Sequence, residues 1–528
     1  MGIARSVVLG WVLAGGAGAC SQYGSRPKSP AHGGAAWVEA ASPHFRVVTD
    51  LPVEDAEATA SELERGLSAL AEVEFAHERT PVAPTNVIVF SSASDFHAFY
   101  PELVQGQFSR SLPGDLEPGR FVMLYGGLSE ETRITCLHEL SHDLFERNFG
   151  PAPAWLNEGF AQYFSTVRVE ADRIRVGAAL PNVTFTLELD EARRVRAVDG
   201  SLVVAIPVDQ VATPSQLLGL DRSAFYRAAS AGQPSEAERL RAASLYLGSW
   251  AFMHMLHDGP EPYPTRFKQF LEKVKDAQVQ DAWQSAFAGL NPADLDHDFK
   301  KYLARGELAI FEYRRRHPEV VTVIKKRALS DAEVHVLWAR LTPPSGALSQ
   351  AARLDLDEAV SETGSAEAHY FRGLYWLHRR QLAAAEADLV NAARLAPSDS
   401  RYALGVLALR IEQSPAAEHV HAGDPIMQAA APLVRVADSA FQLRTLALIY
   451  DDVGEPEQAL ALAERAVALA PIDSFCLDTE ARVLSHLGRV GEALSLERSA
   501  VAFLPESAAA PQILQRLREY EALARAAH

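Results

Sequence analysis

The sequence predicts two architectures in one chain, an α+β domain with a helical lobe over residues 37–315 and an all-α solenoid of helix pairs over 320–528. Three observations carry this. Short β-branched runs alternate with longer segments of helical period up to about residue 185. Inside one of those helical segments, His138, Glu139 and His142 form the pattern H-E-x-x-H, with Glu158 in the next segment. In the last third, Pro471 and Pro505 stand 34 residues apart and the alanines before them keep step, Ala459 with Ala493 and Ala466 with Ala500.

Taken in order, residues 1–19 carry one basic residue, Arg5, before an apolar run from Val7 to Ala19. That run is too short to span a bilayer and suits a secretory signal. Ala17, Gly18 and Ala19 lead into Cys20, which resembles a bacterial lipoprotein signal. The resemblance implies a lipid on Cys20, export across the inner membrane, and a lipoprotein of the cell envelope; Ser21 in place of Asp favours the outer membrane. Ordinary signal cleavage is the alternative. Residues 20–36, rich in Ser, Pro and Gly, read as a flexible tether.

Strands are expected at Phe45–Thr49, Asn86–Phe90 and Phe121–Tyr125, with a helix at Val53–Glu74 between the first two. The motif helix follows. Ser129 is a candidate N-cap with Glu130 and Glu131 in the first turn, where the helix dipole favours negative charge. Gly150 and Pro151 stop it, and Pro153 suits the first turn of the next. Residues 166–176 alternate around a polar turn and read as a hairpin. Helices expected near 235–257, 263–275, 278–288 and 293–304 make up the lobe.

The spacing of the motif has a chemical reason. Positions i and i+4 of a helix point nearly the same way, so the imidazoles of His138 and His142 can converge on one ion with Glu139 beside them. A catalytic zinc takes three protein ligands and keeps one exchangeable position, and two histidines with a glutamate are an established set. Glu158, across the Gly-Pro break, is placed to supply the third ligand from an antiparallel helix. Zn2+ is the expected cofactor, with Glu139 as general base. Asn157 and Gln162 flank the third ligand and are candidates to orient the imidazoles. Cys136 falls on another side of the helix and reads as core; Cys476 lies in a helix of the other domain, so a disulfide between them is not expected, although an export signal would permit one.

HELSH followed by WLNEGFAQYF resembles the gluzincin zinc peptidases, above all the leukotriene-hydrolase-like aminopeptidases, with a shorter interval between the two phrases. SPHFRVVTDLP at 42–52, NFGPAPAWLNEGFAQYFST at 148–166 and YLGSWAFMHML at 246–256 resemble the bacterial peptidase-MA-like family, members of which are fused to tetratricopeptide repeats. The resemblance runs from about 37 to 305. It implies a zincin-like metallopeptidase domain, with Tyr246 as a hydrogen-bond donor to the developing oxyanion. It also implies that Phe121, Val122, Met123, Leu124 and Tyr125 form the edge strand that pairs with substrate backbone. No G-A-M-E-N phrase, which holds a substrate's free amine in the aminopeptidases, is present, so an endopeptidase is favoured over an exopeptidase. His254 and His257 read as structural or exposed.

The repeats read as tetratricopeptide type, with an earlier copy at Gly373, Ala385, Ala392 and Pro397, a degenerate copy interrupted near HVHAGDP, and a weak one beginning near Asp331. Such a solenoid is either a stalk or a surface for a protein partner. A scaffold whose zinc module is inactive or structural is the competing reading of the whole chain. A net charge of −18 in 528 residues argues against nucleic-acid binding, because few cations are free to neutralise phosphates. The expected partners are therefore a peptide or protein substrate, a protein bound by the repeats, and the membrane through the N-terminal lipid alone.

Overall fold

The computed structural model describes residues 26–73, 84–100, 106–109, 121–126, 130–149, 152–178, 183–186, 196–198, 201–221, 224–226, 235–274, 279–306, 308, 310–316, 322–342, 349–413, 425–503 and 511–526. Cys20, Ser129, Gly150, Pro151 and the HVHAGDP insertion before Pro425 lie outside them.

The first unit opens with β1 (Val38–Ala41), β2 (Phe45–Thr49), α1 (Val53–Val73), β3 (Thr85–Phe90), α2 (Ala93–His97), β4 (Gly106–Ser109) and β5 (Phe121–Tyr125). Then come α3 (Glu130–Phe149), α4 (Ala154–Ser165), and a hairpin of β6 (Arg168–Glu170) and β7 (Arg173–Val176). After β8 (Val183–Thr186), β9 (Arg196–Val198) and β10 (Ser201–Pro207), a lobe follows of α5 (Pro214–Leu218), α6 (Glu236–Asp258), α7 (Tyr263–Lys273), α8 (Val279–Ala286) and α9 (Pro292–Leu303). Strands β11 (Phe311–Arg314) and β12 (Lys325–Ala328) close the unit.

The main sheet has the order β12-β1-β2-β3-β5-β4. Strands β2, β3 and β5 run parallel, with Phe45 beside Thr85 and Val87 beside Val122, while β4 pairs antiparallel to the outer side of β5. Alternation sorts the two faces. Val47, Val87, Val89, Val122 and Leu124 join Leu63, Leu67 and Leu70 of α1 and Leu137, Leu140 and Leu144 of α3 in one core. Val48, Ile88, Phe90 and Met123 point the other way.

That second face is covered by α10 (Asp331–Leu341), through Val334, Leu337, Trp338 and Leu341. With β12 in the sheet, the α+β unit therefore extends past the boundary expected at 315–320. The reason is that a parallel-centred sheet is apolar on both sides and needs cover on both. A second expectation also fails. Residues 26–36 are not a free tether: Arg26 forms an ion pair with Asp355 at 2.9 Å and donates to the Thr342 hydroxyl at 2.8 Å, and the Ala31 N–H donates to Asp331 at 2.7 Å. Polar composition allowed a linker, but these side chains find partners on the repeats. Among the described residues no helix is long and apolar enough to cross a membrane.

From α10 the chain continues as α11 (Ser349–Thr363), α12 (Ala366–His378), α13 (Leu382–Leu395), α14 (Ser400–Gln413), α15 (Pro425–Ala430), α16 (Ala440–Val453), α17 (Pro456–Leu469), α18 (Ser474–His486), α19 (Val490–Ala502) and α20 (Pro511–Ala526). Helix hairpins recur as α12 with α13, α16 with α17 and α18 with α19. Ala385, Ala392, Ala459, Ala466, Ala493 and Ala500 are fully buried at the contacts, and a Cβ on Gly373 would lie 2.6 Å from Leu389. Small side chains let each pair of helices approach closely.

Glu497 on α19 is fully buried and faces Asp478, which Arg516 holds at 2.5 and 2.7 Å. Burial first, and then the negative charge of Asp478, push the Glu497 pKa well above the ordinary carboxylate range. The folded chain therefore keeps a proton there that the unfolded chain releases above about pH 4.3, so stability falls as pH rises from that point until the folded value is passed. Glu497→Gln is expected to remove this slope and raise stability at neutral pH by about 1–3 kcal/mol, read from urea midpoints in mildly acid and mildly alkaline buffer.

Candidate metal centre

Helix α3 carries His138, Glu139 and His142 on its inner side, and α4 runs back against it. All twelve residues of α4 are buried, because it is enclosed by α3, α6 and the β6–β7 hairpin side of the core. Trp155 anchors its start, packing on Phe252 and Trp283 with ring centroids at 5.0 and 5.4 Å. Gly159 allows close approach to α6, since a Cβ there would lie 2.5 Å from the Ser249 carbonyl oxygen. These contacts turn Glu158 toward α3.

The three expected ligands meet. His138 Nε2 lies 3.1 Å from His142 Nε2, and Glu158 Oε2 lies 3.4 and 3.7 Å from those two nitrogens. Tetrahedral zinc with bonds of about 2.0–2.1 Å separates its ligand atoms by roughly 3.3–3.4 Å, so the donor set fits the ion in type and spacing. Each is buried, at 4%, 8% and 2% exposure.

Asn157 holds His142 in the useful orientation. Its Oδ1 accepts from His142 Nδ1 at 3.0 Å while its Nδ2 donates to Glu146 at 3.2 Å, which fixes the amide and leaves the His142 Nε2 lone pair facing the cluster. Gln162 does not share that role. Both ends of its buried amide lack a hydrogen-bond partner among the described residues, so it makes no bond to either imidazole there.

The electrostatics follow from confinement. Burial opposes charge on His138, yet the hydrogen bond and charge of Glu158 outweigh it and raise its pKa above the ordinary imidazole value. Burial likewise opposes charge on Glu158, and His142, His138 and Tyr226 overcome it and lower its pKa. Fully buried Glu139 lies beside this group. Tyr246 on α6 is 2% exposed and its hydroxyl has no hydrogen-bond partner among the described residues. Burial, then the charges of Glu158, Tyr226 and Glu139, keep that phenol protonated well beyond its usual range, which places it within the field of both carboxylates.

Sequence reasoning missed Tyr226. Its hydroxyl donates to Glu158 Oε1 at 2.8 Å, leaving Oε2 for the histidines. No motif surrounds it, and 68 residues separate the pair. Tyr226→Phe is expected to weaken zinc binding by about 10–100-fold, measured by competition with a chromogenic chelator.

The strand Phe121–Tyr125 is not an edge. It pairs with β3 on one side and β4 on the other, so its backbone groups are already used, and β4 is the outer strand. His254 Nδ1 and the Tyr302 hydroxyl are 2.9 Å apart, and His257 stacks on Tyr163 at 5.0 Å, so both serve the lobe. Cys136 and Cys476 are buried free thiols.

No protein-family model matches the chain, and no curated protein matches it. Solved structures that resemble it are tetratricopeptide repeat proteins. One, a thermophilic protein of Thermus thermophilus, is 20% identical, with 36% of this chain and 96% of that one covered at a TM-score of 0.29. Another, from Parabacteroides merdae, is 14% identical, with 52% and 93% covered at a TM-score of 0.28. Likeness this loose carries no inference; the repeat architecture rests on the hairpins and their spacing.

Proposed function

We propose that the chain is a zinc-dependent hydrolase of peptide bonds related to the gluzincins, joined to a repeat region that holds a protein partner. The observation that carries this reading is the meeting of two imidazoles and one carboxylate at tetrahedral spacing, with Glu139 adjacent to the first ligand. Zn2+, when bound, would supply Lewis acidity that polarises a peptide carbonyl and brings the pKa of water toward neutrality.

The chain's own residues do the rest. His138, His142 and Glu158 hold the ion, Asn157 orients His142, and Tyr226 occupies the outer oxygen of Glu158. Glu139 takes the proton from the attacking water and returns it to the leaving amine. Tyr246, protonated and without a competing partner among the described residues, donates to the developing oxyanion. An extended peptide would pair with the outer edge of β4, which replaces the strand expected from sequence. Lacking a phrase that holds a free amine, the enzyme acts within chains, on peptide or protein of the cell envelope reached through the Cys20 lipid anchor at the outer membrane.

A second reading, a repeat-based scaffold with a structural zinc module, is favoured by the complete burial of Glu139 and by the extent of the repeats. Metal analysis with a mixed-peptide digest, with and without chelator, separates the two. Chelator-sensitive cleavage at internal bonds supports the hydrolase; bound zinc with no cleavage supports the scaffold.

A further inference from the structure

A second group of metal-binding side chains lies at the seam between the N-terminal segment and the repeats. His32, Asp331 and His335 each offer a ligand atom within 4.8 Å of the others. His32 ends the short turn Pro30–His32, Asp331 begins α10, and His335 stands one turn along the same helix.

Three details distinguish this group from a chance gathering. His335 is only 7% exposed, and its Nε2 makes no hydrogen bond among the described residues, although it lies 3.4 Å from Asp331 Oδ2. Its Nδ1 is 3.0 Å from Asp355 Oδ1, and Arg26 holds the other oxygen of Asp355 at 2.9 Å. That carboxylate orients the ring as outer carboxylates do behind metal-binding histidines, aiming Nε2 inward. His32, exposed at the rim, has its Nδ1 2.9 Å from Ser29 Oγ.

We propose that His32, Asp331 and His335 form a second divalent-metal site, a clasp that fixes the N-terminal segment to the first helices of the repeats. Two imidazoles with one carboxylate favour Zn2+ over Ca2+ or Mg2+, which prefer oxygen alone. The Ala31 N–H bond to Asp331 Oδ1 already brings the segment to α10, and Oδ2 stays directed at His335. The site is independent of the His138 centre: α10 covers the face of the sheet opposite α3.

The full chain is equilibrated with Zn2+, desalted, and its metal counted by mass spectrometry, with thermal unfolding followed with and without Zn2+. His32→Ala is the leading variant because its side chain is exposed, and His335→Ala is the second. Each is expected to lose one zinc per chain, and the Zn2+-dependent rise in melting temperature attributable to this site should persist in His142→Ala and disappear in His32→Ala. Zinc lost in His142→Ala but retained in both His32→Ala and His335→Ala overturns the clasp and leaves only an imidazolium between two carboxylates; no bound zinc in any form overturns it as well. Zinc retained in His142→Ala but lost in His32→Ala supports the clasp even if the hydrolase reading fails.

Discussion

Glu139→Gln is expected to leave zinc bound while peptide cleavage falls by about 10²–10⁴-fold, the range ascribed to a positioned general base. The amide has the volume of the carboxylate, so the fully buried position stays filled. It also leaves His138, His142 and Glu158 untouched, and those are the atoms that meet at metal spacing. What the amide lacks is a basic oxygen able to take a proton from water. Metal content and cleavage must be measured on the same preparation. Unchanged cleavage would eliminate Glu139 as the base; loss of metal with loss of cleavage would mean that its charge, rather than its basicity, sustains the centre.

The largest stability effect at the centre is expected from Gly159→Ala. The added methyl would lie 2.5 Å from the Ser249 carbonyl oxygen and 3.0 Å from its carbon, both backbone atoms of α6 that no rotamer change can move. Relief requires α4 and α6 to part, and overpacking of this kind costs about 1–3 kcal/mol. Glu158 is the preceding residue, so the shift also draws its carboxylate from the imidazoles. A lower urea midpoint with reduced zinc content is the expected pair of results. A variant with wild-type midpoint and metal content would show that the contact yields freely.

Much of the local architecture could be read from residue order. Alternation in FRVVT, NVIVF and FVMLY marks strands β2, β3 and β5, whose successive side chains fall on opposite faces and into different cores. Strand β12 could not be read so: Lys-Lys-Arg-Ala is exposed throughout and has no apolar face, and it becomes a strand through backbone pairing with β1, nearly 290 residues earlier. Strand β4 was likewise missed, and its place outside β5 reverses the expectation about the edge. Arg26 and Ala31 sit in a segment of linker composition, and only their distant partners Asp355 and Asp331 make it ordered.

By itself, the sequence determined what depends on neighbours within a turn or two: the i, i+4 placement of His138 and His142, the strand alternation, and the 34-residue rhythm of small residues. Helical and pleated geometry impose those periods whatever the rest of the chain does. Tertiary structure alone decided the closure of Glu158 on the imidazoles, the support from Tyr226, the place of β4 outside β5, and the approach of His32 to His335. Each joins groups distant in space or sequence until packing sets one helix or segment against another, and that packing is a sum over many side chains that no short motif records.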